Sequence, residues 1–432
     1  MGSSPKKRLI LLQSEPTKAG RPSCLSNHKP AFPYTDGRRG LFRWNYAIQG
    51  LNMNASRTAQ MNSIRSQCDL DAMNFGEAEM RWNAPELLNQ QTVESLAETK
   101  PGYVQKLPEE VRKAGGYGTF KDGTKIKVFV CDTGVDQTHM ENGDLTNVLS
   151  AVNATDDRNG YDERSGHGSW CLSAVGAVDQ GTGIVGVAPN VELHSVKVLD
   201  NGGSGAVSWI ASGIRYAVDN GADIISLSLG GGFSRTIESA LEYAVSKGVI
   251  CVAAIGNSGR AGGGHPGTSR YTIAVAAMDQ NDRLASFSSI DAAVDLVGYG
   301  VNELGCSTRG RYQRISGTSM STPEVAGQIA LYMGIVDRSS TGFSRRNPEF
   351  IRSFVSDVLF DNVIDLGPNG RDTGYGRGKL DGRAILESFP PMDGPANPPT
   401  DPPSDPPSCP VLPEPDFSIQ LVGGKVAEVR IV

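Results

Sequence analysis

The stretch from about residue 120 to residue 388 alternates short runs of β-branched residues with runs whose apolar residues recur at helical spacing. Helical stripes lie at 207–218 and 237–245. The runs that predict strands are 125–130, 223–229, 249–254 and 271–277. Strands that alternate with helices of this length predict βαβ units and a mainly parallel sheet with right-handed crossovers. In such a sheet, functional sites form beyond the carboxyl ends of the strands.

The rest of the chain differs from this stretch in composition. Residues 1–65 carry 11 Lys and Arg against 2 Asp and Glu. Residues 390–415 hold 12 of the 25 prolines, which favours a semi-rigid polyproline linker over a packed core. Two short strands around Gly423-Gly424 predict a terminal hairpin. The predicted organisation is an N-terminal extension (1–104), an α/β domain (105–388), a proline-rich linker (389–416) and a hairpin-like tail (417–432).

Overall composition excludes several classes of protein. The formal net charge is −6, which argues against a general nucleic-acid binder. The apolar run 9–12 is too short for the core of a signal peptide, and no run is long enough to cross a membrane. We therefore expect no membrane association, and either a cytoplasmic location or export by a non-Sec route. The 7 cysteines include no Cys-x-x-Cys pair, so we expect no zinc ribbon, and Cys131, Cys171 and Cys251 lie in apolar segments as buried thiols.

Three residues combine reactive side chains with flanking glycines. Asp132 directly follows the first predicted strand, and His167 lies between two glycines at the start of an apolar helical run. Ser319 precedes another apolar helix, whose N–H groups and dipole favour a developing oxyanion. Pro323 is expected in the first turn of that helix, where a missing N–H costs little. Each residue alone is a weak signal, but together they provide a carboxylate, an imidazole and a hydroxyl in one chain.

The order Asp, His, Ser, with gaps of 35 and 152 residues, resembles that of the subtilisin-like serine proteases. The three motifs that carry the resemblance are Asp132-Thr133-Gly134, Gly166-His167-Gly168 and Gly317-Thr318-Ser319-Met320. It covers about residues 105–388 and extends to further segments, which are 183–189, 195–199, 228–230, 256–259, 287–289 and 376–380. The resemblance implies a three-layer α/β/α fold with a mainly parallel sheet, and serine endopeptidase activity through an acyl-enzyme intermediate.

The same resemblance implies a role for each residue of the site. Ser319 would attack the scissile carbonyl, His167 would take its proton, and Asp132 would hold the imidazole. Asn257 would donate its side-chain amide to the oxyanion. Two extended segments would pair with the backbone of a bound peptide, Gly203-Ser204-Gly205 and Ser228-Leu229-Gly230. Gly231 and Gly232 would help to floor the first specificity pocket, which predicts large apolar P1 residues.

The implied chemistry requires no cofactor, and the expected partners are protein or peptide substrates of a monomeric enzyme. Residues 178–184 resemble the calcium-holding loop of the family, and backbone carbonyls with an amide side chain can ligate such an ion. Its carboxylate partner would be Glu141 or Asp144. A structural calcium ion is therefore an expectation, without a role in the reaction.

Three alternatives stay open at this point. The chain could be an inactive homologue that acts as a binding module, or a sedolisin-type acid peptidase, although that type uses Glu in place of His and Gly166-His167-Gly168 argues against it. The terminal extensions could also be the functional parts, with proteolysis only maturing them.

The family often carries an N-terminal pro-region that assists folding, blocks the site and is then cut off. Thr99-Lys100-Pro101-Gly102-Tyr103 reads as an extended, exposed break. We therefore predict processing between about residues 95 and 118.

Overall fold

The computed structural model describes residues 57–75, 77, 80–84, 88–93, 126–259, 262–339, 346–388, 417–422 and 425–431. These residues belong to the compact unit 32–432, and the first unit, Met1–Ala31, lies outside them. The predicted break at 99–103 and the whole of the predicted linker, 389–416, also lie outside the described residues.

The helices are α1 (Arg57–Phe75), α2 (Gln137–Asn142), α3 (His167–Gly176), α4 (Val207–Asp219), α5 (Arg235–Ser246), α6 (Thr318–Ser339), α7 (Pro348–Ser353), which continues as the π-helix Phe354–Phe360, and α8 (Gly382–Ser388). The strands are β1 (Arg81–Asn83), β2 (Leu88–Val93), β3 (Lys127–Asp132), β4 (Val148–Asn153), β5 (Glu192–Lys197), β6 (Ser204–Ala206), β7 (Ile224–Leu227), β8 (Ile250–Ala254), β9 (Ile273–Met278), β10 (Val294–Tyr299), β11 (Glu303–Cys306), β12 (Tyr312–Ser316), β13 (Val363–Ile364), β14 (Lys379–Leu380), β15 (Phe417–Val422) and β16 (Lys425–Ile431).

Seven of these strands form one sheet in the order β10-β9-β8-β7-β3-β5-β4, and every pair in it is parallel. Residues alternate between its two faces, because successive side chains of a strand point in opposite directions. In β3, Val128 and Val130 pack into the core shared with α3 and α6, whereas Phe129 and Cys131 pack into the core shared with α4 and α5. Both faces are thus covered, and the predicted three-layer α/β/α fold is confirmed.

Helix α1 adds to the α4 side of this architecture. Met61, Ile64, Cys68 and Ala72 are buried in the same core as the residues of α4. The N-terminal extension therefore packs on the α/β domain through at least one apolar helix face. The tail strands β15 and β16 pair antiparallel with each other, with Val422 opposite Lys425.

The cysteines of the described segments are free thiols. Cys131, Cys171 and Cys251 are buried, as predicted, and so are Cys68 and Cys306. Burial raises the pKa of the Cys251 thiol to about 12, so it stays protonated at neutral pH. No helix in the described part of the chain is long and apolar enough to span a bilayer.

Candidate active site

Asp132 and His167 form a buried pair at the carboxyl end of β3. Asp132 is the last residue of that strand, and its Oδ1 lies 2.7 Å from Nδ1 of His167. The side chains are each only 1% exposed. The backbone N–H of Thr133 donates to the same Oδ1 at 2.7 Å, which fixes the carboxylate relative to its own turn. The two predicted residues are therefore in direct contact.

The position of His167 follows from the turn before α3. Gly166 has a φ of 82°, a left-handed conformation that glycine adopts without strain, and His167 is the first residue of the helix. Because Nδ1 faces Asp132, the other ring nitrogen, Nε2, is buried with no hydrogen-bond partner among the described residues. Burial opposes the charged imidazolium, but the Asp132 carboxylate outweighs it and raises the pKa of His167 well above its ordinary value.

Ser319 is the second residue of α6, and its hydroxyl is also buried and unpaired within the described segments. Pro323 lies four residues later, in the second turn rather than the first, because the helix already begins at Thr318. Proline has no N–H, so the carbonyl of Ser319 lacks its usual helical donor. The hydroxyl of Ser228 donates to this carbonyl at 2.8 Å instead, which links a predicted substrate-binding segment to the serine.

Asn257 lies just beyond β8 and is oriented by Thr318. The backbone N–H and the hydroxyl of Thr318 both donate to Asn257 Oδ1 at 2.9 Å. Its Nδ2 is buried and has no acceptor in the described structure. A Cβ at Gly317 would lie 3.2 Å from this nitrogen, so the glycine leaves the amide uncovered. The result is an oriented N–H donor next to the serine, as an oxyanion site requires.

The two predicted peptide-binding segments flank a strand from the chain's own N-terminal extension. In the antiparallel pair of β1 with β6, Trp82 lies opposite Gly205 and Asn83 opposite Ser204. On the other side, Asn83 N–H donates to Gly230 O at 3.2 Å, and Gly230 N–H donates to Asn83 O at 3.1 Å. Residues 81–84 therefore occupy the place of an added strand between the two segments.

Gly203 and Leu229 are the other predicted peptide-binding residues for which the structure gives contacts or burial. Ala84 N–H donates to Gly203 O at 2.8 Å, which extends the pairing by one residue. Leu229 is fully buried in the core and holds its segment in place.

The indole of Trp82 is 1% exposed and fills a pocket. Gly231 lies directly beneath it, because a Cβ there would come within 2.6 Å of the ring. His265 packs edge-on at a centroid distance of 5.3 Å, and its Nε2 lies 2.9 Å from a carboxylate oxygen of Glu238. Gly231 thus lines the Trp82 pocket, and the part that Gly231 and Gly232 play in the first specificity pocket stays a prediction.

Glu77 anchors the same N-terminal segment to α5. Its carboxylate accepts hydrogen bonds from Ser234 Oγ at 2.8 Å, Arg235 N at 2.7 Å and Thr236 N at 3.1 Å. Burial works against the charge, but these hydrogen bonds outweigh it and lower the pKa of Glu77. A carboxylate at a helix N-terminus is favourable because the first N–H groups there lack helical partners.

Asp144, not Glu141, faces the loop 178–184. Its carboxylate is 1% exposed and accepts hydrogen bonds from Gln180 Nε2 at 3.1 Å and Ile184 N at 3.0 Å. Burial raises the pKa of Asp144, and no Lys or Arg of the described segments forms an ion pair with it. Glu141 instead accepts from Gln137 on the surface. The Asp144 carboxylate and the side-chain amide of the neighbouring Gln180 are oxygen-bearing groups of the kind that ligate a hard cation.

The parallel α/β sheet thus carries a buried Asp–His pair, a serine hydroxyl without a partner in the described structure, and an oriented amide donor. This arrangement makes Ser319 a candidate nucleophile. Residues 123–378 match the model of the subtilase family. Subtilisin DY from Bacillus licheniformis is 36% identical over 296 residues, which cover 67% of this chain and 100% of that relative. Subtilisin NAT from Bacillus subtilis subsp. natto is 33% identical over 293 residues, which cover 66% of this chain and 72% of that relative. The chain therefore belongs to the subtilase family, a family of serine endopeptidases, and the resemblance identified from its motifs is confirmed.

Proposed function

We propose that this chain is a serine endopeptidase that works through Asp132, His167 and Ser319. The observation that carries the proposal is the 2.7 Å contact between Asp132 and His167 Nδ1. His167 Nε2 and the Ser319 hydroxyl are both buried and have no hydrogen-bond partner among the described residues. Ser319 Oγ attacks the scissile carbonyl carbon while its proton passes to Nε2. Asn257 Nδ2 donates to the oxygen that becomes negative. No metal or organic group takes part in these steps.

The intermediate then collapses to an acyl-enzyme. The C–N bond breaks, and the imidazolium of His167 returns its proton to the leaving amine. Water attacks the ester by the same route and regenerates Ser319. Asp132 holds the imidazole in one orientation and stabilises its charged form.

The substrate class follows from the two flanking segments. Backbone groups of Gly203 and Gly230 pair with the chain's own strand, and such pairing reads an extended backbone rather than a particular side chain. We therefore propose protein or unfolded peptide substrates. A calcium ion, held by Asp144 and Gln180, would stabilise the loop 178–184 without entering the reaction.

A fluorophosphonate probe tests the proposed nucleophile. The probe should label the wild-type protein at Ser319 and abolish its peptidase activity. Ser319→Ala, His167→Ala and Asp132→Asn should each remove most activity without unfolding the protein, since the members of such a unit act together. Near-normal turnover by Ser319→Ala would sink the assignment. No labelling at Ser319 would instead favour the inactive binding module.

The N-terminal extension supplies a second part of the proposal. Residues 81–84 occupy the cleft, and β2 pairs with β12, where Leu88 lies opposite Ser316. Residues 85–87 connect these two stretches in the sequence, and Ser316 lies three residues before Ser319. We propose that the extension blocks the cleft until it is cut, with the first cut within 84–88. The sequence predicts a cut between 95 and 118, whereas the pairing of residues 81–84 in the cleft favours a cut at 84–88.

Intact-mass spectrometry of the purified wild type and Ser319→Ala separates these positions. Wild type should lose its N-terminal part with a new terminus within residues 85–88, and Ser319→Ala should stay whole. A fully active protein that begins at Met1 or Gly2 would rule out an obligatory pro-region, and a new terminus between 95 and 118 would instead support the cut predicted from the sequence.

A further inference from the structure

Glu163 accepts hydrogen bonds from residues that neighbour Asp132 and His167 in the sequence. It lies in the loop before α3 and is 6% exposed. The Thr133 hydroxyl donates to Oε1 at 3.1 Å, and the N–H groups of Ser165 and Gly166 donate to the same oxygen at 2.9 Å. Ser169 donates to Oε2 through its N–H at 3.1 Å and its hydroxyl at 3.2 Å. No Lys or Arg of the described chain pairs with this carboxylate.

These contacts connect the two backbone segments that carry the catalytic groups. Thr133 follows Asp132, and its N–H holds the Asp132 carboxylate. The Thr133 hydroxyl also accepts a hydrogen bond from Gly168 N at 2.9 Å, one residue after His167. Glu163 therefore fixes the end of β3 and the beginning of α3 to a single buried group, although it touches neither Asp132 nor His167 itself.

We infer that Glu163 is a positioning residue that sets the Asp132–His167 geometry, an inference that rests on the proposed peptidase function. All of its contacts are N–H or O–H donors, which only a carboxylate accepts on both oxygens. A glutamine would turn an NH₂ group towards donors on one side, and the two segments would have to separate. Displacements of about 1 Å in a catalytic array can cost about 10²-fold in rate.

The test compares Glu163→Gln with Glu163→Asp, and expresses kcat per active site titrated with a fluorophosphonate. Glu163→Gln should lower kcat by about 10²-fold with KM unchanged, because peptide pairing lies elsewhere in the cleft. Glu163→Asp keeps the charge and should recover part of the loss. Asp162→Asn is the matched control, since the Asp162 carboxylate in the same loop pairs with the exposed Arg164, and it should keep the wild-type kcat.

Wild-type kcat per titrated site in Glu163→Gln would overturn the inference, and so would equal losses in the Gln and Asp variants. If Glu163→Gln does not fold, Thr133→Val removes the hydroxyl that donates to Glu163 and accepts from Gly168 N, and it should lower kcat in the same way. An unchanged kcat in that variant would also overturn the inference. Failure of the proposed function is distinguishable, because the wild type itself would then show no turnover.

Discussion

Asn257 and Thr318 fix each other across the site, because Asn257 Oδ1 accepts two hydrogen bonds from Thr318. The amide nitrogen of the same side chain, Asn257 Nδ2, has no hydrogen-bond partner in the described structure. An amide has two chemically different ends, so holding one end determines what the other presents. Thr318 immediately precedes Ser319, and the donor is therefore oriented by the same helix start that carries the proposed nucleophile. Such preorganisation avoids rearrangement when negative charge develops.

The Asn257 donor yields the first prediction. Asn257→Ala should lower kcat by about 10²–10³-fold and leave KM nearly unchanged, the magnitude that loss of one oxyanion donor has in subtilisin itself. Steady-state kinetics on a chromogenic peptide measure both constants. Asn220→Ala, at the end of α4, is a control and should keep wild-type kinetics. A change confined to KM would contradict the oxyanion role.

The pH dependence follows from the Asp132–His167 pair. His167 must be neutral at Nε2 to accept the serine proton, and Asp132 raises the pKa of His167. Activity should therefore fall as the pH drops through this raised pKa, on an acidic limb that lies above the ordinary histidine value of about 6.5.

The residual activity of Asp132→Asn provides the check on this limb. Loss of the carboxylate removes the charge that favours the imidazolium, so the limb should move to lower pH. A kcat/KM profile against pH for both proteins measures the shift. An acidic limb at the same pH in the variant would show that another group controls it.

The parallel sheet, and the contact between the proposed catalytic residues Asp132 and His167, were predictable because their signals are local. Asp132, His167 and Ser319 each lie beside glycines at a strand end or helix start, and the strands between them are continuous apolar runs buried on both faces. Asn257 followed from the same kind of motif. These features depend on neighbours within a few residues, which the sequence displays directly.

Glu77, Trp82, Glu163 and His265 were not predicted as parts of the site. Trp82 meets Gly205 and His265 through pairing across well over a hundred residues, and nothing in its neighbourhood marks it as buried. The donors to Glu163 lie in or next to the motifs around Asp132 and His167. The one signal of its role in the sequence was therefore an acidic residue four positions before His167. Pairing of distant segments decides such positions, and one sequence without its fold does not reveal the register.

P1 preference is the next prediction. With Gly232 facing open space and no charged residue adjacent in sequence, large apolar or aromatic side chains should be preferred at P1. A peptide library cleaved by the activated enzyme gives the profile. A profile dominated by Arg or Lys at P1 would refute the prediction, and Ser319→Ala serves as the blank that identifies contaminating proteases.

The last prediction concerns how strongly the Trp82 side chain keeps the strand 81–84 in the cleft. Its indole is 1% exposed against Gly231 and His265, and truncation of a buried Trp costs about 3–5 kcal/mol. In Trp82→Ala the strand 81–84 should open more often, by about 10²-fold or more, since each 1.4 kcal/mol is about a factor of ten. Hydrogen exchange of the Asn83 and Gly230 amides reports this opening, measured in the Ser319→Ala background so that the chain stays whole. Arg81→Ala is the control: its exposed ion pair with Asp200 contributes at most about 1 kcal/mol, so exchange should rise only a few-fold. Equal exchange rates in Trp82→Ala and in its parent would mean that the indole does not anchor the strand.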